Sequence, residues 1–273
     1  MPNGDCGDGV LNPHPKDQVA DKYWSQRRRL FTRFDQGIQL DKESWFSVSP
    51  EAIADHIAAH MVQSRESLIV MDPFCGCGGN SIAFAKRDEV ALVVCVDTDL
   101  EKLKKAAANA LIYEIPPEKM VLIHENACDI MSFFSDGKLT FKTEEVRAEV
   151  TDLGGEDCKY YKIGNRTLLP ERLDMIFLSP PWGGMDYLKV GKRNYDLTSI
   201  QLPNNGTSVS GEDLLDMAAT SLGHKPVTYF LPRNVNGIKL ARSALKAGYE
   251  GPVVMEQNVL NGKLKTVTAY IGL

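Results

Sequence analysis

Apolar residues run through this chain in two rhythms. From Ser67 onward, short unbroken apolar runs alternate with helix-periodic stretches, the pattern of strand–helix–strand units in a parallel sheet. The runs Leu68–Met71, Val90–Val96, Val121–His124, Leu173–Leu178 and Val227–Leu231 predict strands. Ser81–Lys86, Asp99–Tyr113, Gly211–Leu222 and Ile238–Ala247 predict helices between and after them. Asp99 suits a cap, and Leu103, Ala106, Ala107 and Ala110 form one apolar face behind it. Two last strands, Val253–Asn258 and Lys265–Ile271, flank Val259–Leu264, whose Asn261-Gly262 is a hairpin-turn signal. The fold class is therefore α/β: a doubly wound, mostly parallel sheet with an antiparallel last strand, plus a small helical N-terminal extension.

Ahead of Ser67 the pattern changes. Residues 1–20 are rich in Pro, Gly, Asn and Asp, lack a signal-like apolar stretch and are expected to be disordered. Residues 21–66 form the helical extension, and 67–273 the main domain. In the extension, Lys22–Phe34 carries Lys22, Arg27, Arg28, Arg29 and Arg33 without an acid, interleaved with aromatics. Trp24, Arg27, Arg28 and Phe31 recur at helical spacing. The stretch reads either as a helix with a solvated basic face or as a patch for phosphates. A chain beginning near Pro50 is expected to fold but lack activity. Ser49 suits an N-cap and Pro50 the first turn of a helix over Pro50–Gln63, with Ile53, Ile57 and Met61 on one stripe. His56 and His60 lie four apart on it, but no glutamate or third ligand accompanies them, so no metal is expected. Within the main domain, about 133–172 breaks the rhythm and reads as a surface insertion or hairpin of illegible function.

Composition narrows the classes. With 273 residues and 43% apolar content, the chain can bury a sizeable core. No apolar run approaches the roughly 20 residues of a membrane span. The six cysteines are scattered without metal-ligand or disulfide spacing, which suits a reducing interior. A net charge of −5 argues against broad wrapping of nucleic acid, so any such contact should be short and local.

Two stretches carry chemistry. The first is Asp72-Pro73-Phe74-Cys75-Gly76-Cys77-Gly78-Gly79-Asn80, directly after the first strand. Its glycines let the backbone turn tightly and approach a ligand. Asp97, at the end of the second strand, is the right distance on to accept bonds from ribose hydroxyls. An NAD site shares these features, although Asp72 stands where a dinucleotide site usually has no acid. Asp129, just after the third strand, is a weaker candidate acid. The second stretch is Ser179-Pro180-Pro181-Trp182-Gly183-Gly184, after the fourth strand. Two prolines make the backbone rigid and remove two N–H donors, leaving carbonyls and the Ser179 hydroxyl as acceptors beside an aromatic ring. That suits a substrate amine. A turn around a buried Trp is the bland alternative.

The first loop resembles motif I of the class I S-adenosylmethionine-dependent methyltransferases, whose fold is Rossmann-like. Ser-Pro-Pro-Trp resembles the signature of members that methylate exocyclic or amide nitrogens. N6-adenine and glutamine-amide methyltransferases share it. The longer agreement is more specific: Ser-Pro-Pro-Trp-Gly-Gly-x-Asp-Tyr, Lys22-Tyr23-Trp24, Leu30-Phe31, Ser44-Trp45-Phe46-Ser47-Val48, Phe230-Leu231-Pro232-Arg233-Asn234 and Asn261-Gly262-Lys263-Leu264-Lys265-Thr266. Together they resemble the trimethylguanosine synthases, cap hypermethylases that convert 7-methylguanosine caps to 2,2,7-trimethylguanosine. The resemblance covers Lys22–Ile271 except the insertion. It implies S-adenosyl-L-methionine as cofactor and 7-methylguanosine-capped RNA, of the small nuclear and nucleolar kinds, as substrate. It also implies a monomer, in the nucleus or in nucleus and cytoplasm.

The resemblance further implies roles. Trp182, with Pro181 beside it, would stack on the 7-methylguanine, and Asn109 would contact that base. Lys22, Tyr187, Arg233 and Lys265 would hold the cap phosphates. Asp72, Phe74, Gly76, Gly78, Asn80, Asp97 and Asp129 would hold the cofactor. Phe31, Glu43, Ser47 and Ser49 would line or cover its side, with Ser47 toward the cap. Ser179 and Pro180 would orient the guanine N2. Cys77, Met185 and Ser49 depart from the usual pattern without threatening the chemistry. No general base is legible. A cap-binding module that has lost catalysis is the alternative of another class, and the retained acids and glycines argue against it.

Overall fold

The computed structural model describes residues 10–63, 65–140, 161–183, 187, 189, 191 and 194–273. Strands form at the unbroken apolar runs. β1 (Leu68–Asp72), β2 (Val90–Asp97) and β3 (Met120–His124) pair in parallel, with Met71 opposite Val94 and Val94 opposite Val121. A tight hairpin, β4 (Phe134–Ser135) and β5 (Lys138–Leu139), follows. β6 (Ile163–Gly164) then adds to the outer edge of β3. β7 (Met175–Leu178) returns to the other side of β1. A second hairpin, β8 (Gln201–Asn204) and β9 (Thr207–Ser210), precedes β10 (Val227–Pro232), which pairs with β7. β11 (Val253–Leu260) and β12 (Lys263–Ile271) close the sheet, β12 running antiparallel to both β10 and β11. The order is β11-β12-β10-β7-β1-β2-β3-β6. The strand order reverses between β1 and β7, and ligands of such sheets bind beyond the strand ends at that point.

The helices cover both faces, as a parallel sheet requires. α1 (Asp21–Trp24), α2 (Arg27–Leu30) and α3 (Ser44–Ser47) are single turns of the extension. α4 (Glu51–Met61), α5 (Gly79–Ala85) and α6 (Leu100–Ile112) bury Ile57, Phe84, Leu103 and Ala106 against Val70, Val93, Cys95, Met175 and Phe177. α7 (Ala127–Ser132), α8 (Gly211–Leu222) and α9 (Gly237–Lys246) pack Ile130, Leu214, Ala218 and Leu240 against the alternate residues Met71, Val94, Ile176 and Leu178. Period-two alternation thus assigns neighbouring strand residues to opposite cores.

Several expectations are corrected. Residues 10–20 make specific contacts rather than being disordered. Val19 is buried, Trp24 Nε1 donates to Val10 O at 3.1 Å, and the His14 ring sits edge-on to both Trp24 and Trp45 at 5.6 Å. Residues 1–9 lie outside the described residues. The ends of the insertion belong to the fold, since it contributes β4, β5 and β6, and Tyr161 Oη donates to Ile115 O at 2.7 Å. Its remainder, 141–160, is outside the described residues. The polar stretch before α8, read as loop, contains the β8–β9 hairpin, turned by Asn205 and Gly206 at φ 45° and 82°.

The extension is not separable either. Phe31 and Ile38 are buried in the same core as α4, α5 and α6, and Trp24, Phe34 and Trp45 pack ring against ring. Ser49 does not cap α4: Pro50 occupies the cap position, and no side chain caps there. Finally, much of the basic stretch is structural. Arg27 is 3% exposed, stacks on Trp24 at 4.4 Å, and pairs with Asp35 as does Arg28. Arg33 binds Ile112 O and Glu114.

Candidate active site

Asp72 closes β1 at the switch point and is 1% exposed. Ser81 Oγ donates to its Oδ2 at 2.7 Å, while Oδ1 has no partner among the described residues. Burial pushes the Asp72 carboxyl up to about 7; bonds from Ser81 and the Phe74 N–H oppose that, and Asp97 adds repulsion. The loop then turns through Gly76 and Gly78 at φ 53° and 89°. A Cβ at Gly78 would press on Ala106 at 3.1 Å, and one at Gly79 would come within 2.7 Å of Val48 Cγ2. At Gly76 nothing lies within 4 Å, so its open side faces free space. Gly76 N donates to Asp97 Oδ2 at 3.0 Å and Asp99 N to Oδ1 at 2.9 Å. Burial raises the Asp97 carboxyl against these bonds.

The extension forms a second wall of the loop. Asn109, fully buried in α6, accepts from Gln39 N at 2.7 Å and donates to Gln39 O at 3.0 Å and Cys77 O at 2.9 Å. Its expected contact with the cap base is corrected: every polar atom is spent on clamping the loop to residue 39. Asp41 accepts from the Ser44 hydroxyl, and Ser44 Oγ lies 3.0 Å from Cys77 Sγ. Glu43 pairs with Lys102 at 2.7 Å. Asn80 Nδ2 donates to Ser49 Oγ at 3.1 Å, and Asn80 Oδ1 is buried without a partner among the described residues. Ser47 is exposed, its hydroxyl donating to Glu43 O at 3.0 Å. Phe31 lies behind the loop, 2% exposed and packed on Tyr113. Asp129 sits half-buried in the first turn of α7, one loop beyond β3.

Across the switch point, β7 runs into Ser179, whose Oγ is 3.5 Å from Phe74 O and so ties the proline loop to the glycine loop. Pro180 is buried and Pro181 exposed. Trp182 is half-buried. Its Nε1 donates to Phe230 O at 3.1 Å, its ring tilts against Phe230 at 5.6 Å, and Tyr187 meets it edge-on at 5.7 Å. Tyr195 Oη donates to Trp182 O at 3.2 Å, and Asn234 Nδ2 holds Tyr187 O at 2.8 Å. Arg233, just past β10, is exposed, and Lys265 follows on β12 beside the β10 end, where Pro232 pairs with Thr266. Lys22 is exposed on α1, its ammonium 4.7 Å above the Tyr23 ring.

The structure thus joins Asp72, Gly76, Gly78, Asp97, Asn80 and Ser49 around one loop, and Ser179, Trp182 and Tyr187 around its neighbour. Sequence reasoning passed over Ser81, which fixes Asp72, and Lys102, which fixes Glu43. It also passed over Tyr195 and gave Asn234, quoted only inside a motif, no role; these two hold the Trp182–Tyr187 pair. Their signal was position alone, close after a motif, since Ser, Lys, Tyr and Asn are ordinary loop and helix residues. Among the described residues no group of three or more His, Cys, Asp or Glu side chains could hold a metal ion. His56 pairs with Glu256 and His60 stacks on Tyr270.

This sheet order, with an acid closing the first strand and a glycine loop pinned to a second acid, defines a class I S-adenosylmethionine-dependent methyltransferase. The fold is like that of the SAM-dependent methyltransferase from Agrobacterium tumefaciens, with a TM-score of 0.51 at 14% identity over 83% of this chain and 63% of that one. The profile of the RNA cap guanine-N2 methyltransferases matches residues 67–273, and the chain belongs to that family. It is 34% identical over 232 residues to the trimethylguanosine synthase of Schizosaccharomyces pombe, covering 85% of this chain and 77% of that protein. To the trimethylguanosine synthase of Saccharomyces cerevisiae it is 31% identical over 228 residues, covering 82% of this chain and 58% of that one.

The residues present fit the cofactor. The orphaned Asp72 Oδ1 and Asn80 Oδ1 are buried acceptors that a donor-bearing ligand would satisfy. The open side of Gly76 leaves room for it against the backbone. Asp97, anchored by two backbone N–H groups, keeps further lone pairs for hydroxyls.

Proposed function

We propose that this enzyme converts 7-methylguanosine RNA caps to 2,2,7-trimethylguanosine by two successive methylations of the guanine N2. The observation that carries the reading is the joining of the Ser179–Trp182 loop to the Phe74 carbonyl of the glycine loop, which sets an amine site against a cofactor site. When bound, S-adenosylmethionine supplies an electrophilic methyl group on a sulfonium. The chain's own residues bind and orient. The Ser179 hydroxyl and the carbonyls of the proline loop are acceptors for the N–H bonds of the substrate amine. The guanine N2 lone pair is delocalised into its ring, so holding it in line is the main lever available.

Trp182 offers an indole face to the base, held in place by its own N–H on Phe230. N7 methylation makes that base cationic, and a cation over an indole is worth about 0.5–2 kcal/mol. Arg233, Lys265 and Lys22 are the cations suited to a triphosphate, which needs local charge rather than a basic protein. Small nuclear and nucleolar RNAs in the nucleus, met by a monomeric enzyme, complete the reading. The test is to incubate the protein with 7-methylguanosine triphosphate and cofactor and weigh the product. Gains of one and then two methyl groups are expected. Methylation of an adenine or a glutamine amide, with no mass change in the cap analogue, would overturn it.

A further inference from the structure

Among the described residues Phe46 is the one exposed Phe, Tyr or Trp, at 48% exposure. Its neighbour Trp45 turns inward to the Trp24–Phe34 cluster, so the single turn of α3 is pinned and Phe46 is held outward. A lone exposed phenyl would need no explanation. This one has company. The Tyr23 ring lies 6.2 Å away at 45°, and the Lys22 ammonium sits over that ring. The group also adjoins, along the chain, the segment that walls the glycine loop. Val48, two residues on, packs where a Cβ of Gly79 would be, and Ser49 bonds to Asn80.

We infer that Phe46 and Tyr23 form a stacking platform for the base of the nucleotide that follows the cap triphosphate, with Lys22 taking a phosphate between the two bases. This rests on the cap reading above. The chemistry favours a nucleobase over an apolar peptide: the rings are accompanied by an exposed cation and by no acid on α1 beyond Asp21, which pairs with Lys16. Stacking on an aromatic tolerates any base, so the platform would raise affinity for capped RNA without selecting its first nucleotide.

The test compares two ligands on the full chain with S-adenosylhomocysteine present: 7-methylguanosine triphosphate, and the dinucleotide in which that triphosphate carries an adenosine. The parent protein is expected to bind the dinucleotide about tenfold more tightly. Phe46→Ala should bind both alike, with affinity for the mononucleotide within about twofold of the parent, and Phe46→Trp should keep the preference. Equal binding of the two ligands by the parent would overturn the platform. So would a Phe46→Ala protein that keeps the preference, or one that weakens both ligands equally. If neither ligand binds the parent, the cap reading itself fails.

Discussion

The side-chain amide of Asn109 holds the carbonyl of Cys77 at 2.9 Å and, with the same nitrogen, the carbonyl of Gln39 at 3.0 Å. One buried residue of α6 therefore fixes the glycine loop and the extension to each other. Asn109→Ala would strand the buried Cys77 carbonyl and release the partly buried N–H and carbonyl of Gln39, at a cost of about 1–3 kcal/mol. The expected result is a clear fall in thermal midpoint together with weaker S-adenosylmethionine binding in calorimetry. Asn109→Asp keeps the bond from Gln39 N but turns a buried carboxylate toward two carbonyls, and should be at least as destabilised as the alanine variant.

Asp97 has two tasks. It holds the Gly76 N–H, and we propose that its remaining lone pairs accept from the ribose hydroxyls of the cofactor. Asp97→Ala should abolish activity by loss of cofactor binding in a folded protein. Unchanged calorimetric affinity for S-adenosylmethionine would show that the acid serves only the loop.

If Trp182 carries the cap base as proposed, it must discriminate by charge, because guanine and 7-methylguanine have nearly the same shape. Trp182→Phe should retain part of the preference for the methylated cap, since a phenyl face still attracts a cation. It also frees the Phe230 carbonyl, so a loss of about 1 kcal/mol in stability should accompany it. Trp182→Ala should lose most of the binding and the preference. Titration of methylated and unmethylated cap analogues into the three proteins separates these outcomes; an alanine variant that still discriminates would place the cap pocket elsewhere.

The buried Asp72 gives the ligand-free protein a pH dependence of stability. Its folded value of about 7 lies above the unfolded one. The folded state therefore binds more protons between about pH 4 and 7, and stability falls as pH rises through that window. Asp97, also raised, acts in the same direction. Melting curves of the ligand-free protein should show a lower midpoint at about pH 7.5 than at about pH 5.5, and Asp72→Asn should flatten the difference. An unchanged slope in that variant would show that other carboxyls control it.

Removing residues 10–49 should unfold the protein rather than leave an inactive core. Phe31 and Ile38 belong to the core beneath α4, α5 and α6, and deleting them opens a cavity there. A shortened chain beginning at Pro50 is expected to be insoluble or to lack a cooperative melting transition. A cooperative transition near the parent midpoint would show that the core stands alone.

The sheet was legible because its central strands are buried on both faces and read as unbroken apolar runs, and α6 because Asp99 caps it and its apolar face is regular. What escaped were pairings that depend on a partner far away or just out of frame. Lys22–Phe34 contains no acid, yet Asp35, the next residue, neutralises Arg27 and Arg28. The β8–β9 hairpin carried a turn signal in Asn205-Gly206, but Pro203 and the polar run around it read as loop. Asn109 followed from resemblance to a role at the base, whereas its position on α6, opposite the extension, gives it a structural one. At the site, the two motif loops were legible, and the residues that hold them, Ser81, Tyr195 and Asn234, were not.

The contact between Gly79 and Val48 bears on how this enzyme can change over evolution. A side chain at position 79 would collide with the Val48 methyl, so the Val48 side chain or the segment that carries it must shift, and that segment is held by Ser49 on Asn80 and Glu43 on Lys102. A change at position 79 therefore calls for a matching change at Val48. A chimera that takes its glycine loop from one methyltransferase and its extension from another would mismatch at this seam, however well each half is preserved.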